Sequence, residues 1–484
     1  MASTSPSNGG GILGEKKVSN GGSRDLQLPV HQNDVEGGLA VPEANGGDSV
    51  SVKAKKLLTV QPEGESGRRG FHPIRFLKIT FKSASWVSRI VNVLWPVVPA
   101  AIAVRYALPH NYLAIFILSY IAMVPCANLI GFAGQSLAKK VPHVYGVLIE
   151  TTFGSVVEII LFMVLITRTN TPDIDYTQVI RAAILGSVLA TMLLCLGLCF
   201  IAGGLRRETQ TFSETVSEAG SGLLLTAGFG LAIPTVFYRS LIGQIDDEVL
   251  KNKAIEISRA TAVLLIIAYL VFIFYQVRSH HGIYDAIFEA DTERDADKHR
   301  DARMHKLTFT ECIVALAISI ALVTVIAIAL VDQIPDLVEH GHVSDAFVGL
   351  ILVPLVEKAA EHLTAIDEAY DNQMNFALSH VLGATLQTAL FTGPLVVIVG
   401  WGLDKDMGLN FETFDIAVLL LAIITVGNFL RDQKSNYLEG TLCVLVYIAI
   451  AVATIYFPNA HERINVGTGA TTGTGGEEAA AGGH

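Results

Sequence analysis

Charge is scarce in this chain. Asp, Glu, Lys and Arg make up 16% of its 484 residues against 51% hydrophobic, and the mean hydropathy is +0.48. That balance excludes an ordinary soluble enzyme and points to a polytopic membrane protein. Basic residues are outnumbered, with a formal net charge of −11, and the acids gather in loops and tails, which excludes a nucleic-acid footprint. Cysteine is equally sparse. Cys126, Cys195, Cys199, Cys312 and Cys443 lie in or beside apolar runs with no two-residue spacing and no histidine cluster, so neither a disulfide framework nor a structural zinc site is expected. Residues 1–73 lack an apolar core of the length a secretory signal needs. The acidic stretch from Arg278 to Lys306 lacks the EF-hand pattern, and alternations such as Glu293-Arg294-Asp295 read as a solvated segment.

What the chain has is apolar length. A bilayer core takes about 20 apolar residues per helix. Eleven runs qualify: Trp86–Leu108, Tyr112–Leu137, Val144–Thr167, Val179–Gly203, Ser213–Tyr238, Ile255–Val277, Leu307–Val331, Val343–Ala369, Met374–Gly402, Phe414–Leu430 and Tyr437–Phe457. The expected organisation is therefore all-α. It comprises a disordered cytosolic tail (1–73), a first membrane half (74–277), a charged cytosolic loop (278–306), a second half (307–459) and a flexible tail (460–484). The loop carries Asp285, Glu289, Asp291, Glu293, Asp295 and Asp297. Lysine and arginine prefer cytosolic loops. Lys139, Lys140, Arg206, Arg207, Arg431, Lys434 and the six basic residues of 278–306 fall on one side if the amino terminus is cytosolic. The loop from Asp332 to His342, on the other side, has no Lys or Arg.

Two glutamates stand where lipid forbids them, in Phe153-Gly154-Ser155-Val156-Val157-Glu158 and in Val356-Glu357-Lys358-Ala359-Ala360-Glu361-His362. An ionisable side chain at a helix centre costs roughly 2.5–3.5 kcal/mol on insertion scales, so it faces an ion pathway by default. After the first comes Gly186-Ser187-Val188-Leu189-Ala190-Thr191, and after the second Gly383-Ala384-Thr385-Leu386-Gln387-Thr388, which share Gly, Leu and Thr in register. One N-terminal helix plus two five-helix repeats accounts for the eleven runs. An odd repeat length inverts the second copy, a plan that brings paired motifs to the bilayer midplane.

Residues three and four apart share a helix face. Gly154 and Ser155 are thus expected beneath Glu158, and Glu357 and Lys358 beneath Glu361. The first group reads as an oxygen cage. In the second, an ammonium beside Glu361 repels an incoming divalent ion. Lys358 either fills part of the site and leaves room for a monovalent ion, or it snorkels or pairs with Glu150 or Glu357. Ser187, Thr191, Thr385 and Gln387 offer ligands or bind helices together, Gln387 first among them as a ligand. His362 is a candidate proton relay.

Further stretches carry a family resemblance: Gly131-Phe132-Ala133, Gly203-Gly204-Leu205-Arg206-Arg207, Ser258-Arg259, Phe347-Val348-Gly349, Ala359-Ala360-Glu361-His362, Gln387 with Ala389-Leu390-Phe391, and Lys434-Ser435-Asn436-Tyr437-Leu438-Glu439-Gly440. With these the chain, from about Ile74 to Asn459, resembles the cation/proton exchangers, the vacuolar Ca²⁺/H⁺ antiporters of the calcium/cation antiporter superfamily. The resemblance implies eleven spans, an acidic loop after the sixth, and two facing helices whose glutamates, here Glu158 and Glu361, bind Ca²⁺ and protons in turn. It also implies Gly-Asn before each glutamate. Here Gly154-Ser155 and Glu357-Lys358 stand instead, with Glu150 and Thr191 at two further asparagine positions. The expected activity is Ca²⁺/H⁺ antiport at the vacuolar or another endomembrane, without an organic cofactor, with Na⁺ or K⁺ as alternative cargo and a non-transporting regulatory paralogue as the rival class. The expected partners are the inorganic cation, the proton and the bilayer, with an oligomer left open.

Overall fold

The computed structural model describes residues 66–68, 70–82, 86–169, 176–296, 298–301, 305–341 and 343–458. Nearly all of the two expected tails and Asp297 of the loop lie outside them. Among the described residues, ten helices are long and apolar enough to cross a membrane. Seven of these come first: α1 (Ser88–Ala107), α2 (Tyr112–Ala138), α3 (Val144–Arg168), α4 (Thr177–Gly204), α5 (Glu214–Leu241), α6 (Asp247–Ser279) and α7 (Phe309–His340). The eighth expected run forms α8 (345–370), assembled from Asp345–Phe347, a π-helical turn Val348–Leu352, Val353–Glu357 and Ala359–Tyr370. Charges in its middle and a break at Lys358 keep it from being one continuous apolar span. Then follow α9 (Met374–Gly402), α10 (Thr413–Leu430) and α11 (Tyr437–Ile455).

Burial grades the bundle. α4 and α9 are the most deeply enclosed spans, and α1 and α6 the least. Exposed apolar side chains on α6, such as Leu264, Leu270 and Phe274, suit contact with lipid. α4 packs against α8 and α11, α9 against α5, α6 and α8, and α2 against α3, α7 and α8. Local chemistry starts these elements where they start. Thr308 and Glu311 form a reciprocal capping box at α7, and Arg68 reaches Glu311 at 3.5 Å. Asn436 caps α11 by accepting from the backbone N–H of Leu438 and Glu439 at 2.9 and 3.1 Å. Just inside, Gly440 meets Gly197 of α4 so closely that a Cβ on Gly440 would lie 2.5 Å from the Gly197 carbonyl oxygen. The family-like stretch ending at Gly440 thus serves a backbone-to-backbone helix crossing with α4.

The loops that the charge rule groups together lie on one face. Gln210–Thr211 pairs antiparallel with Lys434–Ser435, and Arg206 stacks over the Tyr370 ring at 3.6 Å. On the opposite face Asp332 takes Arg105 at 3.0 Å and Arg168 at 3.3 Å.

The acidic loop departs from expectation. Instead of a solvated segment, its first half is a helix, His281–Arg294, that buries Tyr284, Phe288 and Asp291 on one stripe. Phe288 stacks on Phe376 at 4.7 Å. The buried Asp291 carboxylate accepts the backbone N–H groups of Asn375 (2.7 Å) and Phe376 (3.2 Å) and the Asn375 side-chain amide (2.8 Å), capping α9 from outside. Asp285 does the same for α3 by accepting from Val144 N at 3.3 Å. Burial raises the Asp291 carboxyl above its ordinary value, and the bonds from Asn375 and Phe376 offset part of that rise. Because this acid titrates higher in the folded than in the unfolded chain, its stabilising contribution is fullest at acid pH and falls as pH rises through the folded value. Asp291→Ala orphans three donors, the two of Asn375 buried, and is expected to cost about 1–3 kcal/mol. The check is thermal unfolding of the purified protein, and an unchanged midpoint would refute the capping role.

Candidate ion-binding site

Two helix interruptions create the site. α3 breaks at Ser155 (φ −78°, ψ −2°) and α8 at Lys358 (φ −90°, ψ −1°), each three residues before its glutamate. A ψ near zero lies outside the regular helix, and non-helical backbone at membrane depth is tolerated only where protein or a cavity surrounds it. α4 and α9 carry matching distortions, the π-helical turns Ala190–Cys195 and Thr388–Thr392.

The half-sites are crossed. Each glutamate is served chiefly by residues of other helices, not by a cage on its own. Lys358 of α8 places Nζ 2.7 Å from Glu158 Oε2 on α3, and the same ammonium lies 3.2 Å from Glu361 Oε2. Ser155 of α3 donates to Glu361 Oε1 at 3.1 Å. Thr388 of α9 donates to Glu158, its Oγ1 equidistant at 2.9 Å from both carboxylate oxygens. Ser187 of α4 donates to Glu357 Oε1. Glu158 and Lys358 are fully enclosed, and Glu357 nearly so. One ammonium is therefore shared by the two repeat glutamates and stands between them.

Several expectations need correcting. Lys358 neither snorkels nor pairs with Glu150 or Glu357; it bridges Glu158 and Glu361, because the crossing of α3 and α8 brings Glu158 within its reach. Glu150 instead lies with His380, Nε2 to Oε2 at 3.4 Å. No hydrogen bond joins Gln387 to either glutamate; its Oε1 is buried without a partner, and the contact is made by the next residue, Thr388. Thr191 Oγ1 and His362 Nε2 are likewise buried and unpartnered, and Thr385 bonds back to the Val381 carbonyl. Glu357 Oε2 is also unpartnered. Calcium takes 6–8 oxygen ligands. The two repeat carboxylates and the Ser155 and Thr388 hydroxyls bonded to them supply oxygen donors of the kind it takes.

Glycine is needed at one point of this site. A Cβ on Gly154 would lie 2.5 Å from Glu361 Oε1. Gly154→Ala must displace that carboxylate, and misplacing a working group by about 1 Å costs on the order of 100-fold in rate. Cation-driven proton flux in liposomes should fall by about that factor; wild-type flux would show that Glu361 acts from elsewhere.

Residues 111–278 and 312–456 match the family model described as sodium/calcium exchanger protein. The chain is 31% identical over 348 residues to a vacuolar calcium ion transporter of Schizosaccharomyces pombe, spanning 72% of this chain and 80% of that protein. It is 31% identical over 379 residues to vacuolar cation/proton exchanger 5 of Arabidopsis thaliana, spanning 78% and 83%. Its fold is similar to the solved structure of native YfkE, with a TM-score of 0.60 at 24% identity over 75% of this chain and all of that one.

Proposed function

We propose, proceeding from the fact that this chain belongs to the sodium/calcium exchanger family, that it is a Ca²⁺/H⁺ antiporter of the vacuolar membrane. One observation carries the reading: a fully buried glutamate and a partly buried one, each placed by a helix break, share a single cation across the α3/α8 crossing. Ca²⁺ bound between Glu158 and Glu361 excludes protons from the same oxygens, and protons taken up from the acidic lumen release the ion. Lys358 acts as a resident cation. Its ammonium neutralises the empty site and swings aside when cargo arrives, so the charged cavity is never left uncompensated at membrane depth. The two halves, each with a broken helix followed by a π-distorted one, rock as inverted repeats to expose the site alternately. The face bearing Arg206 and Arg207 is the cytosolic one in this reading, which the bias of basic residues toward cytosolic loops supports.

Lys358 also favours a second reading, that the remaining oxygens hold only a monovalent ion. Proton efflux from acid-loaded proteoliposomes, triggered in parallel by Ca²⁺, Na⁺ and K⁺, separates the two. The expected result is a Ca²⁺ response. A response to Na⁺ or K⁺ alone would establish the monovalent exchanger, and silence from all three would leave a non-transporting regulator.

A further inference from the structure

Three ionisable side chains meet in the membrane-spanning bundle outside the Glu158/Glu361 pair: Glu150 on α3, Glu368 on α8 and His380 on α9. Their donor atoms all lie within 4.8 Å of one another. Glu368 Oε2 lies 2.7 Å from His380 Nδ1 and, in the neutral imidazole, accepts its proton, which turns the lone pair of Nε2 toward Glu150. That second nitrogen lies 3.4 Å from Glu150 Oε2 and has no hydrogen-bond partner, although the histidine is only 7% exposed. Glu150 Oε1 is buried and unpartnered as well. A cavity of about 20 Å³ opens beside them, bordered by Glu150, His380, Thr364 and Glu361. It holds roughly one water-sized occupant. The starts of the two helices bearing Glu150 and His380 are pinned by one element, the helix His281–Arg294, through Asp285 on Val144 and Asp291 on Asn375 and Phe376.

An imidazole whose Nδ1 is held by one carboxylate and whose Nε2 faces a second, with a cavity of one-ion size beside them, is the donor set of a transition-metal site. Calcium, which takes oxygen ligands, has no use for the nitrogen. We propose that Glu150 and His380 Nε2 bind a divalent transition-metal ion such as Mn²⁺, with Glu368 as the positioning residue. None of its donor atoms pairs with Glu158, Lys358 or Glu361, although Glu361 borders the same cavity. It stands whichever cargo the central glutamates carry.

The test uses the purified full chain with Mn²⁺ alone, bound ion being counted by loss of the free-ion electron paramagnetic resonance signal and imidazole ligation read from nitrogen couplings in the pulsed spectrum. The wild type in excess Ca²⁺, which fills the oxygen site between the central glutamates, and the Glu158→Gln/Glu361→Gln double variant should each hold one Mn²⁺ with a nitrogen coupling. His380→Gln and Glu150→Gln should each lose it, and Glu368→Gln should weaken it by 10–100-fold, the usual effect of removing a ligand's supporting partner. Two carboxylate or imidazole variants are included so that misfolding of one, seen as loss of monodisperse elution, leaves the other to decide. Absence of any nitrogen coupling in the wild type, or loss of the ion in the double variant with retention in His380→Gln, would overturn the proposal and leave the cluster as an internal ion pair.

Discussion

Replacing either Glu158 or Glu361 by glutamine is expected to abolish cation-coupled proton flux, to the level of empty liposomes, while the protein stays folded. Glutamine keeps the volume and one carbonyl oxygen but cannot carry the charge that binds a cation or the proton that displaces it, so both halves of the exchange are lost together. The folded state survives because the partner glutamate remains. In Glu158→Gln the Lys358 ammonium still has Glu361 at 3.2 Å, and in Glu361→Gln it still has Glu158 at 2.7 Å. Each variant gives up one charge-assisted bond, about 1.5–3 kcal/mol, and does not leave the ammonium alone, which would cost about 3–5 kcal/mol. A paired measurement settles it: flux in liposomes and the thermal midpoint in detergent. Coupled flux surviving in either variant would remove that glutamate from the mechanism, and a chain that no longer unfolds cooperatively would mean that the pair serves structure.

Much of this site was legible from residue type alone. Glu158 and Glu361 announce themselves because an acid within an apolar run is costly unless it has work. The same rule covers Glu368 and His380, which lie in apolar runs but outside the repeat motif. What spacing along one helix does not give is the crossing. Helical periodicity placed Ser155 under Glu158 and Lys358 under Glu361, yet Ser155 serves Glu361, and Lys358 makes its shorter contact with Glu158, because α3 and α8 pass side by side. The displacement of the α9 contact from Gln387 to Thr388 has a related cause. Thr388 is where the π-helical turn begins, and no local sequence signal distinguishes that turn from regular helix. The helix His281–Arg294 was readable in principle. Tyr284, Phe288 and Asp291 recur at helical spacing, but charge alternation masked the stripe.

Lys358→Asn is expected to tighten Ca²⁺ binding by tenfold or more, a change of about 1.4 kcal/mol or greater. In the wild type an incoming Ca²⁺ must first part an ammonium from two carboxylates at 2.7 and 3.2 Å. The gross Coulomb energy of one such pair at 4 Å is about 4 kcal/mol at an effective dielectric constant of 20. Only a fraction appears as a net difference, since the displaced ammonium finds other partners, Glu357 first among the neighbouring carboxylates. Asparagine removes the resident cation and adds an amide oxygen where the family resemblance places one. The same change leaves Glu158, Glu357 and Glu361 facing one another with no counter-charge, so the empty protein must take up protons there and loses stability as pH rises. Ca²⁺ then restores more than it does in the wild type, because a ligand present at 100 times its dissociation constant stabilises by about 2.7 kcal/mol. Thermal unfolding of both proteins with and without Ca²⁺ reads the difference directly. A larger Ca²⁺-dependent rise in the variant establishes Lys358 as the built-in competitor of the cargo. An equal rise would place the ion away from the ammonium. No rise in the variant beside a clear one in the wild type would mean that the lysine organises the site it occupies.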